Sequence, residues 1–199
     1  MAVVIKRKPI VLFFLLFMCF NVHANAGVPM IAVIFPKTVL SLIPIILIEA
    51  AVLAKTLKLN KKKTVSAVVA GNACSTLFGI PITWAILAYI QISTGGERSI
   101  DGVGDLMKKI LSVTWQAPWL MPSDNLYWQV PAATLFLFIP FFFTSWLIEF
   151  WVELFILKKE VSDKKRFRRT VFFANLLSYV FLAVVLAGSF IFDHHRGIL

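Results

Sequence analysis

Apolar residues run along the chain in four long blocks, at about 39–57, 64–92, 130–157 and 170–192, separated by polar or basic stretches. Each block comes close to or exceeds the roughly 20 residues that a helix needs to cross a bilayer. The apolar positions are continuous rather than alternating, which suits helices and not the strands of a membrane barrel. The pattern therefore predicts an all-α fold, a polytopic transmembrane helical bundle with about four spans in the mature chain. Gly71, Gly79, Pro81, Pro140 and Gly188 fall inside the blocks, where neighbouring helices can satisfy the backbone groups they free.

The first block carries a glutamate, so its insertion is a question of magnitude. A central acidic residue costs on the order of 3 kcal/mol, while each Leu, Ile or Val returns roughly 0.5 kcal/mol. Eleven such residues surround Glu49 between positions 39 and 57. The block is expected to insert despite its carboxyl group.

Residues 1–26 have the three parts of a cleavable secretory signal: Lys6, Arg7 and Lys8, an apolar run from Ile10 to Phe20, and Ala24-Asn25-Ala26 as a small-x-small cleavage site. Residues 27–199 then form one transmembrane domain. Its opening segment, 28–35, is bracketed by Pro29 and Pro36 and reads as an interfacial or re-entrant lead-in to a first span beginning at Val39. Lysine and arginine concentrate in two short turns, 58–63 and 158–169, whereas the long connection 93–128 mixes both signs. Basic turns resist translocation. They are expected in the cytoplasm of a bacterium, with loop 93–128 and both mature termini in the periplasm and the chain multi-pass in the inner membrane. Within the loop, Leu106, Ile110, Leu111 and Trp115 recur at helical spacing and are followed by Trp119, Tyr127 and Trp128. They predict a short helix lying on the outer surface amid interfacial aromatics.

Composition agrees with a lipid solvent: 59% of residues are hydrophobic and 15% charged, against nearer one half and one quarter in soluble domains. The formal charge of +10 does not imply nucleic acid, because the basic residues flank apolar runs instead of sharing one accessible face with stacking groups. Cys19 falls in the signal, so a mature chain keeping Cys74 alone has no internal disulfide. The partners expected are the lipid bilayer and either a protein partner or further copies of the chain.

The chain also matches itself. Ile48, Glu49, Val52, Leu57 and Lys58 recur as Ile148, Glu149, Val152, Leu157 and Lys158. After a three-residue insertion, Lys61, Lys62, Val68, Asn72, Ser75 and Phe78 recur as Lys164, Lys165, Val171, Asn175, Ser178 and Phe181. Apolar matches are cheap in such a chain, so the Glu, Asn and Ser matches carry the weight. They suggest two parallel helix-hairpin repeats related by an axis along the membrane normal.

Glu49 lies nine residues before Lys58, and Asn72 nine after Lys63. At 1.5 Å per residue each sits about 13 Å in from the basic turn. Glutamate and asparagine of one hairpin can then meet across its two helices, with Ser75 continuing the face of Asn72. Asn175 and Ser178 repeat this beside Glu149, while Glu153 has no counterpart. Polar groups at such depth face the bundle interior and find partners.

Glu49, Asn72, Ser75, Glu149, Asn175 and Ser178 form the candidate intramembrane polar cluster. One reading is a lock between hairpins in a structural, assembly or accessory component of a membrane complex. The alternative is a small proton- or cation-coupled transporter or channel using Glu49 and Glu149 as oxygen ligands. No serine-histidine pair, metal-ligand cluster or phosphate loop occurs in the spans, so neither an enzyme nor a cofactor or metal site is expected. Asp193, His194 and His195 end the last span as a polar stop, since adjacent histidines diverge on a regular backbone.

Overall fold

A computed structural model describes residues 27–96 and 104–195; the expected signal, 1–26, lies outside them, as do the side chains of Asp193, His194 and His195. In chain order the elements are strand β1 (Val28–Pro29) and helices α1 (Met30–Leu57), α2 (Lys61–Cys74), α3 (Ile80–Ser93) and α4 (Asp105–Val113). Strand β2 (Trp119–Leu120) and helices α5 (Leu126–Leu157) and α6 (Lys164–His195) complete the order. A π-helical turn, Ser75–Gly79, joins α2 to α3 in a continuous rod, Lys61–Ser93. Four helices are long and apolar enough to cross a membrane: Met30–Leu57, Lys61–Ser93, Leu126–Leu157 and Lys164–Phe190.

The first long helix begins at Met30 and runs unbroken through Pro36 and Pro44, nine residues before the start expected at Val39. The separate lead-in is absent because Met30, Ile31 and Ile34 are core residues of the helix, packed with Ile80, Leu137 and Phe141. Proline removes one intrahelical bond; core packing of the preceding turn outweighs that loss. Pro29 precedes the helix, where its missing N–H costs nothing.

The long helices form a ring in which α1 packs on the α2–α3 rod, the rod on α5, α5 on α6 and α6 back on α1. Two apolar cores stack along the bundle. One holds Met30, Ile34, Ile80, Leu137 and Phe141; the other, beside the basic turns, holds Leu53, Val68, Phe150, Leu157, Phe167 and Val171. Large apolar side chains such as Leu40, Ile43, Phe155 and Val184 cover the outside. An outward apolar surface this continuous would be insoluble in water.

Both basic turns lie at one end and touch. Lys63 pairs with Glu160 at 2.7 Å, and Arg166 donates to the Thr56 carbonyl at 2.9 Å. The Lys63 ammonium, hydrogen-bonded to Glu160, holds that carboxyl below the usual carboxylate range. The turns use the same device to start their second helices. Asn60 Oδ1 accepts from the backbone N–H groups of Lys62 and Lys63, and Asp163 Oδ1 from those of Lys165 and Arg166. Asn60→Ala and Asp163→Ala are each expected to lower stability by about 1 kcal/mol, read as the shift in a reversible unfolding titration in detergent.

The opposite end is capped by polypeptide. Val28 pairs antiparallel with Leu120 and Pro29 with Trp119, and the Met30 N–H donates to the Pro118 carbonyl at 3.0 Å. The same carbonyl accepts from the Trp84 indole at 2.8 Å. Buried Gln91 bonds the Trp119 backbone on both sides, donating to its carbonyl at 2.8 Å and accepting from its N–H at 3.0 Å. The helix expected in the loop is present as α4, and Trp115, the last residue of the expected spacing, lies beyond its end at Val113.

Candidate functional site

Between the two apolar cores lies a polar layer built from all four long helices. Glu49 on α1 and Glu149 on α5 are 1% and 2% exposed and close enough to interact directly across the bundle. The asparagines and serines come from the rod and from α6, the helices that flank both carboxyls.

Each carboxyl is held by one donor from its own hairpin and one from the other. Asn72 Nδ2 donates to Glu49 Oε2, while Ser178 Oγ lies 2.7 Å from Glu49 Oε1. Asn175 Nδ2 donates to Glu149 Oε2 at 2.7 Å, while Ser75 Oγ lies 2.7 Å from Glu149 Oε1. The asparagine contacts are those expected within each hairpin. The serines differ from the expectation, because they exchange: each reaches the glutamate of the other hairpin.

The helices fix these donors by ordinary local bonds. Asn72 and Asn175 also donate to the carbonyls one turn back, Val68 at 3.1 Å and Val171 at 3.3 Å. Ser75 and Ser178 can donate to the carbonyls of Asn72 at 3.2 Å and Asn175 at 2.9 Å. Close approach of the rod to α5 depends on glycine. A Cβ at Gly71 would lie 3.3 Å from both Glu149 Cγ and Glu153 Cγ, and one at Gly79 would lie 2.7 Å from Ile148 Cδ1.

No protein-family model, curated protein or solved structure matches this chain.

Counting hydrogens shows what the site lacks. A serine hydroxyl has one proton, yet each here faces two acceptors, a carboxyl oxygen and a backbone carbonyl. Both asparagine amides are already committed twice. Glu153, 1% exposed, adds a third carboxyl whose Oε2 has no partner, and Asn175 Oδ1 has none either. The groups acting on the three glutamates include no lysine or arginine among the described residues. The cluster is rich in acceptors, and the fully buried side-chain donor left unpaired among the described residues, the Trp146 indole N–H, lies one turn from Glu149 along α5.

The serines make this tolerable in two protonation states. With a charged carboxylate, the hydroxyl donates to it. With a protonated carboxyl, the acid can donate to Ser Oγ while the hydroxyl turns to its own backbone carbonyl. Neither state requires a heavy atom to move. Beyond this layer, Tyr179 and Ser145 share a 3.1 Å hydroxyl contact, and Tyr179 is within electrostatic reach of both paired glutamates.

All six residues singled out in the sequence meet in this layer. Glu153, noted in the sequence as a glutamate without a counterpart in the repeat, joins them, and Tyr179 is the participant without a sequence signal. The π turn beginning at Ser75 is a further surprise, with the Thr83 hydroxyl donating to that of Thr144 at 2.9 Å above it. No apolar periodicity marks a π turn, because it inserts a single residue of phase into an otherwise uniform apolar run.

Proposed function

We propose that the protein is a multi-pass component of a bacterial-type inner membrane with a structural, assembly or accessory role in a membrane complex. The reciprocal exchange of Ser75 and Ser178 between hairpins carries this reading. It commits the buried carboxyls of Glu49 and Glu149 to holding four helices in one arrangement. The aromatic-rich exterior, with Tyr89, Trp151, Phe155 and Phe173 exposed, suits contact with lipid or with helices of a partner. Meeting of the basic turns at one end supports their place in the cytoplasm by the positive-inside rule, with the capped end periplasmic. The matching hydrogen bonds and N-caps of the two hairpins support an internal parallel repeat.

Purification of the full chain in mild detergent tests the role. A particle of fixed stoichiometry larger than the 22.4 kDa monomer is expected, whether homo-oligomer or heteromer. A monodisperse monomer at native expression level would count decisively against it.

The surplus of acceptors favours a second reading, a small proton- or cation-coupled transporter using Glu49 and Glu149. Proteoliposomes enclosing a pH-sensitive dye separate the two. The transporter reading requires proton flux that the Glu49→Gln, Glu149→Gln double variant loses while remaining folded; the scaffold reading expects no flux from either protein.

A further inference from the structure

We propose that the capped end of the bundle carries a binding site for a phospholipid headgroup, the inference resting on the membrane reading above. A cleft of about 650 Å³ opens between α4 and the start of α5, lined among others by Asp105, Lys109, Ser112, Asn125, Trp128 and Gln129. That volume exceeds what a bare phosphate fills and falls in the range of sites for larger ligands.

Three features converge on an anion. The N-terminus of α5, a helix of 32 residues with no acidic residue in its first turn, borders the cleft through Asn125, Trp128 and Gln129. Its dipole favours negative charge there, with the first-turn N–H groups of Leu126, Trp128 and Gln129 already bonded to the carbonyls of Ser123 and Asn125 and no side-chain cap from Asn125. Gln129 is 8% exposed, and its amide has no hydrogen-bond partner among the described residues; its remaining access is to the cleft it lines. Lys109 supplies an ammonium on the facing wall, which a phosphodiester can accept from.

The neighbourhood of the cleft says which phosphate. Helix α4 is two-faced: Asp105, Lys109 and Ser112 line the cleft, while Leu106, 74% exposed, with Met107 and Ile110, forms an apolar face turned outward. An amphipathic helix of this kind lies at the level of lipid headgroups, so the cleft opens where lipid phosphates are. Asp105 stands one turn from Lys109, about 6 Å away along the helix, and among the described residues no ion pair joins them. It provides an acceptor for a headgroup ammonium. The pair therefore selects a zwitterionic aminophospholipid: phosphate toward Lys109, Gln129 and the α5 terminus, amine toward Asp105.

The test titrates the full chain in detergent with dihexanoyl phosphatidylethanolamine, dihexanoyl phosphatidylglycerol, dihexanoylglycerol and inorganic phosphate, reading bound ligand by native mass spectrometry. Phosphatidylethanolamine is expected to bind best. Lys109→Gln should weaken it about fivefold, the usual worth of one lysine near lipid phosphate, and Asp105→Asn should erase its preference over phosphatidylglycerol. Thermal unfolding checks that both surface variants remain folded. Binding of dihexanoylglycerol as tight as that of the phospholipids would overturn the proposal, as would saturation by inorganic phosphate that displaces the lipid. Indifference to both substitutions would do the same. A chain that fractionates with membranes yet binds none of these probes would sink this inference alone and leave the membrane reading standing.

Discussion

Glu149→Leu is expected to destabilise the protein by about 1–3 kcal/mol, because it strands a buried amide hydrogen of Asn175. Asn175 loses its carboxyl acceptor, whereas Ser75, which loses its own, can turn to the Asn72 carbonyl. Hydrogen bonds between helices in lipid average well under 1 kcal/mol each, since the unfolded reference also finds partners. The larger figure applies because leucine removes the acceptor and leaves the Asn175 amide in place. Glu149→Gln is the informative control. Its amide has the shape of the protonated acid, can accept from Asn175 and donate to Ser75 Oγ, and lets Ser75 turn to the Asn72 carbonyl. It is expected to cost under about 1 kcal/mol. A reversible unfolding titration of the purified protein measures both; equal midpoints for the two variants would show that the cluster does not hold the helices.

Gly71→Leu is expected to cost about 3 kcal/mol, at the upper end for overpacking a core, or to prevent folding altogether. A Cβ there already meets Glu149 Cα at 3.4 Å as well as the Cγ atoms of two glutamates. A full leucine can be seated only by pushing the rod off α5, which would also part Ser75 from Glu149. Gly188→Leu is the matched control. Nothing lies within 4 Å of a Cβ at that position, and the gain in helix propensity makes the change neutral or mildly stabilising, by less than about 1 kcal/mol. If both substitutions behave alike, the close approach at Gly71 is not what positions α5.

The number of long helices was legible in the sequence because continuous apolar runs admit no other structure in lipid. Their ends were less so. Pro36 looked like a boundary only because a sequence does not show that Met30 and Ile34 have a core to pack into. The membership of the polar layer followed from depth counting and from the Glu, Asn and Ser matches. Its connectivity did not: whether Ser178 serves Glu149 or Glu49 depends on how hairpins are arranged around the ring, and local spacing carries no record of that. The cap at the other end was invisible for a similar reason, since Gln91 and Trp84 sit in an apolar block and their bonds to residues 118 and 119 are made across the fold.

The two bonds on Glu49 differ greatly in sequence separation, 23 residues to Asn72 and 129 to Ser178. A chain made from its N-terminus can form the first as soon as its second long helix is in place, and must then wait for nearly all the remaining sequence before the second. For Glu149 the order is reversed: Ser75 is already present when it is synthesised, and Asn175 follows. The early hairpin thus spends its nascent life with one carboxyl oxygen unclaimed and one serine idle. A ribosome stalled before α5 would hold a half-built product with these groups open to a quality-control protease or chaperone.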